Sequence, residues 1–188
     1  MPTRFLGFLM VACALLTAAT AQAQWMRGTQ FSGAVGLNLP LGELDKQARA
    51  GIDVAIRTLF TDPAQPWGVR NSLTFDRFGG KTVSGIDNYQ FLGLLQFELV
   101  HSTNKKLYQY VGVGLYQFKA TFHSTSGPPP TIGRGDDSSI SEGDVGFQGG
   151  VGLNFGTTTK TFLELGVVNV LTSGKSSSWF PLRFGIRI

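Results

Sequence analysis

Eight stretches of this chain, each 10 to 12 residues long, carry an apolar residue at every second position. A period of two is the signature of a β-strand with one face buried, because successive side chains point to opposite sides, whereas a helix repeats every 3.6 residues. The stretches run from Gln30 to Pro40, Gly51 to Phe60, Trp67 to Phe78, Tyr89 to Val100, Leu107 to Phe118, Asp144 to Phe155, Thr161 to Val170 and Trp179 to Ile188. The intervals between them are 10, 6, 10, 6, 25, 5 and 8 residues, so wide and narrow connections alternate along the chain. In an up-and-down barrel every second connection lies at the same end, and membrane barrels gather tight turns at one end and longer loops at the other. The pattern therefore predicts an all-β, eight-stranded antiparallel up-and-down transmembrane β-barrel. Ten residues rising about 3.3 Å each at a tilt near 45° cover roughly 23 Å, close to the apolar thickness of such a membrane.

The segment before the first strand reads differently. Arg4 precedes a run of apolar and small residues from Phe5 to Ala19, which closes on Ala21-Gln22-Ala23. A positive residue, a short apolar run and an A-x-A ending are the parts of a secretory signal peptide, and the run is too short for a spanning helix. Residues 1–23 are expected to be a signal peptide and residues 24–188 the barrel domain. A lipoprotein site at Cys13 is the rival reading, but cleavage there would split the apolar run.

Without that segment the chain has 165 residues, 15 basic and 12 acidic, a mild formal charge of +3, and no cysteine. No Lys/Arg cluster points to nucleic acid, and no disulfide framework is available. Beyond the signal no run of 18 apolar residues occurs, so helical membrane spans are excluded, while the full chain's 25 glycines and 12% aromatic residues suit a β protein.

Face by face, Phe180, Leu182, Phe184, Ile186 and Ile188 oppose Pro181, Arg183, Gly185 and Arg187, and Val111, Val113 and Leu115 oppose Tyr110, Gly112, Gly114 and Tyr116. Val145, Phe147, Val151, Leu153 and Phe155 oppose Gly146, Gln148, Gly150, Gly152 and Asn154; Ile52, Val54 and Ile56 oppose Asp53, Ala55 and Arg57. In the fourth stretch Tyr89, Phe91, Leu95, Phe97 and Leu99 are assigned to the lipid face opposite Gln90, Gln96 and Glu98, with Leu92 and Leu94 blurring the pattern. The polar faces collect Asp53, Asp76, Glu98 and Glu164 against Arg57, Arg70, Arg183 and Arg187. Four charges of each sign suit a paired network inside a narrow barrel, where a lone ion would cost several kcal/mol. Glycines on the same faces would relieve crowding there. Trp67, Tyr89, Tyr108, Phe155, Trp179 and Phe180, near strand ends, are candidates for interfacial aromatic belts.

Val35-Gly36-Leu37-Asn38-Leu39-Pro40-Leu41-Gly42, Tyr110-Val111-Gly112-Val113-Gly114-Leu115 and the closing stretch Trp179 to Ile188 resemble the small outer-membrane β-barrel proteins of the OmpA/OmpX type, a likeness that covers Gln30 to Ile188. The resemblance implies an outer-membrane location in a Gram-negative envelope, lipid and lipopolysaccharide as surroundings, and insertion by the barrel-assembly machinery, which reads the last strand. That strand usually ends in an aromatic residue; here it ends in Ile188, with Phe184 four residues earlier. Members with eight strands include structural anchors, surface-interaction proteins and lipid-modifying enzymes, so fold alone does not select a function.

An eight-stranded barrel is only wide enough for its own side chains, which argues against a wide pore. Two fragments invite comparison with lipid-modifying barrels. His101-Ser102-Thr103-Asn104 falls in a narrow periplasmic turn, and His123-Ser124-Thr125-Ser126 opens the longest loop without a carboxylate fixed beside it in sequence. No residue is assigned a catalytic role, and no cofactor or metal is expected. The loop from Lys119 to Gly143 is the expected contact surface, with Pro128-Pro129-Pro130 stiffening it and Arg134, Asp136 and Asp137 as possible contact residues; its external ligand is not named by the sequence. The expected role is that of a noncatalytic membrane barrel, structural in the envelope or presenting loops for binding. The alternatives are a soluble periplasmic lipocalin-like barrel with its apolar face around a lipophilic ligand, and an outer-membrane lipid-modifying enzyme.

Overall fold

The computed structural model describes residues 28–62, 64–81, 86–103, 106–122, 139–155, 160–172 and 175–188. The expected signal peptide lies outside them. Eight strands form one closed antiparallel barrel in chain order: β1 (Gly28–Leu41), β2 (Ala48–Thr61), β3 (Trp67–Gly80), β4 (Ile86–Ser102), β5 (Leu107–Phe122), β6 (Ser139–Phe155), β7 (Lys160–Thr172) and β8 (Lys175–Arg187). The last strand pairs with the first from Ser32↔Arg187 to Leu41↔Ser178, so no edge is left unpaired.

The register fixes the shape. A circuit of paired residues that leaves β1 at Leu41 passes Ser178, Asn169, Phe147, Val113, Phe97, Asn71 and Thr58 and returns to β1 at Phe31, ten residues earlier. With strands about 4.8 Å apart and a rise of about 3.3 Å per residue, that stagger sets a strand tilt of about 40° and a backbone radius of about 8 Å. Such a lumen is filled by side chains.

The strands reach further than their apolar alternation. The wide connections shrink to residues 42–47, 81–85, 123–138 and 173–174, while the narrow ones at 62–66, 103–106 and 156–159 barely change. The ladder continues through polar residues such as Asn88, Lys119 and Thr121, because backbone hydrogen bonding does not need the outward face to be apolar. The first wide connection also folds into a six-residue helix, α1 (Gly42–Gln47). Gly42, at φ +56°, makes the turn from β1 into α1 in a conformation that favours glycine.

Two face assignments change. In β4 the pairing shifts register between Gly93 and Leu95. This bulge turns two successive residues, Leu94 and Leu95, outward, so Tyr89 and Phe91 above it lie inside together with Gln96 and Glu98 below it. Uninterrupted alternation had placed Tyr89 and Phe91 in lipid. Among the belt candidates, Trp67, Phe155 and Phe180 face outward, whereas Tyr89, Tyr108 and Trp179 are buried in the interior.

Pro181 marks the one interruption in β8. Without an N–H it cannot donate to the ladder, and the β7–β8 pairing skips from Leu165↔Leu182 to Val168↔Trp179.

Candidate functional site

Seven of the eight charged residues singled out in the sequence, Asp53, Arg57, Arg70, Asp76, Glu98, Glu164 and Arg183, are buried in the lumen. Alternation places them there: each shares strand parity with inward neighbours while the intervening apolar residues face out. They meet in two groups. Arg183 donates from Nε and Nη2 to the two carboxylate oxygens of Asp53, at 2.8 Å each, the fork geometry that guanidinium and carboxylate share. Asp76 pairs with Asp53 across β2 and β3, and Asn38 Nδ2 donates to Asp76 Oδ1 at 2.6 Å.

Nearer the chain termini, Glu164 is the hub. Arg57 Nη1 donates to its Oε2 at 2.5 Å, and the Tyr108 hydroxyl donates to its Oε1 at 2.7 Å. Arg70 bridges Glu164 and Glu98. The Arg70 guanidinium also lies 4.4 Å from the Tyr110 ring centre. Arg187, the eighth residue, is only partly buried and makes no ion pair with a described residue; it stacks over Tyr108 at 5.0 Å and Phe162 at 5.3 Å. Polar contacts continue the network sideways, with Gln96 donating to Thr74 Oγ1 at 2.7 Å and Gln148 donating to Gln96 Oε1 at 3.0 Å. Glycines make room for it: a Cβ on Gly152 would run into the Tyr108 ring, and one on Gly185 into Phe162.

Above the charges the lumen is closed by an apolar plug. Trp179 sits at its centre, 4.8 Å from Phe91, 5.6 Å from Phe78 and 6.2 Å from Tyr116 between ring centres. Val168, Val170, Ala48 and Ala120 complete the cluster, and α1 covers it with Leu44. The interior is thus layered, with rings toward the α1 end and ion pairs toward the termini. The plug follows from residues whose parity already pointed inward: Trp179 shares it with Arg183, and Phe78 with Arg70 and Asp76. Only Tyr89 and Phe91 were hidden by the bulge.

The remaining candidates do not assemble into a site. His101 lies at the termini end of the outer wall, 4.3 Å from the Trp67 ring and 3.3 Å from Gln109 Nε2, with Ser102 exposed beside it. His123, Ser124, Arg134, Asp136 and Asp137 lie outside the described residues. Among the described residues no group of His, Cys, Asp or Glu side chains is placed to hold a metal ion.

Neither a protein-family model nor a curated protein sequence matches the chain. Solved structures do match its shape. Ail, the attachment invasion locus protein of Yersinia pestis, superimposes with a TM-score of 0.58 at 16% identity, over 85% of this chain and 98% of that one. A major outer membrane protein from Thermus thermophilus gives 0.57 at 16% identity, over 86% and 99%, and Neisserial surface protein A gives 0.50 at 14%, over 85% and 95%. At these identities the likeness is one of fold, and by fold this chain is a small eight-stranded antiparallel barrel of the kind built by outer-membrane proteins.

Proposed function

We propose that the protein is a noncatalytic integral outer-membrane barrel that stiffens the envelope and presents the connection at residues 123–138 to the exterior. The observation that carries this reading is the outer wall. Val35, Ile56 and Val111 are about 60% exposed, and Leu37, Ile52, Phe147, Leu165 and Phe184 are more than half exposed. Soluble monomers do not expose apolar surface around their whole circumference. The belt also has edges. On β3 the outward residues run from Trp67 to Arg77, ten residue steps, which at about 3.3 Å per residue and about 40° of tilt is about 25 Å of height, that of the apolar band around such barrels. On β5 the polar limits are Gln109 below and Gln117 with Lys119 above. A soluble lipocalin-like barrel requires the reverse arrangement, with apolar residues inside.

The rest follows from that placement. Residues 1–23 act as a cleaved export signal, and β8, with Phe184 on its lipid face, is the strand offered to the barrel-assembly machinery. Lipid covers the belt, and lipopolysaccharide surrounds the end that carries α1 and residues 123–138. The filled lumen supports a structural role over transport. An epitope inserted between Ser126 and Gly127 tests the outward presentation: it should be bound by antibody on intact cells, and Asp136→Ala with Asp137→Ala should leave barrel assembly unchanged. An epitope reached only after the outer membrane is opened, or assembly lost with the two substitutions, would overturn the reading.

A further inference from the structure

Resting on the membrane placement above, we infer that the outer wall seats one anionic glycerophospholipid of the periplasmic leaflet, with its phosphodiester at His101 and an acyl chain along Leu99 and Val111. The wall is grooved there, in a concavity of about 490 Å³ that crosses the lower edge of the apolar belt. Two rows of outward side chains meet in it. Trp67, His101 and Gln109 are consecutive register partners across β3, β4 and β5, and one outward step further into the belt the same register aligns Val69, Leu99 and Val111. On β6 the second row continues as Gly149, which adds no side chain beside Val111, itself 63% exposed. A polar and aromatic row next to an apolar one fits an amphiphile whose head lies toward the termini end.

The polar row is built to donate. Gln109 Nε2 lies 3.3 Å from His101 Nδ1, and an amide nitrogen can only donate, so the ring accepts there and carries its proton on Nε2, for which no described residue is the acceptor. Trp67, its ring centre 4.3 Å from that of His101, adds an indole N–H at the same level. No carboxylate lines the groove, so His101 has no partner there to make it a base, and the row has donors in want of an acceptor. A phosphodiester brings acceptor oxygens at the depth where headgroups begin, and Lys106, exposed in the turn that joins β4 to β5, gives an anionic head its counter-charge. In the placement above this end lies away from lipopolysaccharide, in the leaflet of glycerophospholipid.

Bromine quenching of Trp67 tests this. With Trp25→Phe and Trp179→Phe, Trp67 is the only tryptophan, and the chain is inserted into vesicles of equal phosphatidylglycerol and phosphatidylcholine in which one lipid or the other carries acyl-chain bromine. Brominated phosphatidylglycerol is expected to quench as though enriched about fivefold at Trp67, the effect of one lysine on an anionic lipid, and Lys106→Gln with His101→Ala should remove most of that preference. A tryptophan at the same end of the opposite wall, Phe31→Trp with the other three replaced, should show none. Native mass spectrometry of the chain with its own tryptophans gives a second reading: one phosphatidylglycerol retained in mild detergent, and lost with the same two substitutions. Equal quenching by the two lipids, a preference that survives both substitutions, or the same preference at Phe31→Trp would each overturn the inference. An unsubstituted chain that does not insert into vesicles refutes the membrane placement itself, whereas an inserted barrel without lipid preference refutes only the lipid site.

Discussion

Glu164 is the residue on which the lower half of the lumen depends most. It accepts hydrogen bonds from Arg57, Arg70 and Tyr108, and all four side chains are buried. Glu164→Gln keeps the shape but removes the charge: the amide oxygen can replace Oε1, accepting from Arg70 and Tyr108, or Oε2, accepting from Arg57, and in either orientation the amide N–H groups face a guanidinium. Arg70 keeps Glu98, whereas Arg57 loses its one carboxylate partner among the described residues. Breaking one side of a buried ion pair costs about 3–5 kcal/mol, most of it from the charge left behind. Removing that charge as well, in the double variant Arg57→Met with Glu164→Gln, leaves Arg70 and Glu98 paired one to one. The double variant is therefore expected to recover at least ~1 kcal/mol relative to Glu164→Gln alone, since replacing a whole buried pair with neutral groups is often close to neutral. Urea titration of the barrel refolded in detergent micelles, followed by tryptophan fluorescence, measures all four corners of the cycle. A cost below ~1 kcal/mol for Glu164→Gln, or a double variant as unstable as the sum of the single ones, would refute the claim that pairing holds this layer together.

Other substitutions separate the two faces and the two layers. Gly152→Ala drives a methyl into the Tyr108 ring and is expected to cost ~1–3 kcal/mol in the same titration, while Gly33→Ala, on the outer wall with open space around it, should change stability by less than ~0.5 kcal/mol. Trp179→Ala removes the centre of the apolar plug and should cost ~3–5 kcal/mol. Lipids brominated in their acyl chains should quench Trp67, which is 49% exposed on the wall, and spare Trp179, which is fully buried; single-tryptophan variants in liposomes give the two readings, and equal quenching would contradict the face assignment.

Most of this architecture could be read from the order of residues, because a period of two and a closed sheet leave few choices. In β8 the alternation of Phe180, Leu182, Phe184 and Ile186 against Arg183 and Arg187 already states which face meets which surroundings. The interior charges were legible for the same reason, although which arginine meets which carboxylate depends on the ten-residue stagger and on rotamers that no local pattern encodes. β4 shows where reading by parity fails. A bulge adds one residue and reverses the parity beyond it, and nothing in Phe91-Leu92-Gly93-Leu94-Leu95-Gln96 marks which of several apolar positions is the extra one. The plug was misjudged because aromatic side chains suit lipid and lumen equally; their parity with charged neighbours, not their hydrophobicity, distinguishes the two.

Membrane residence is the claim on which the rest stands, and cell fractionation followed by gel electrophoresis with and without boiling addresses it directly. The account predicts recovery in the outer-membrane fraction and a band whose mobility changes on heating, as a closed barrel that survives detergent unfolds only when boiled. Recovery in the soluble fraction without detergent would contradict it.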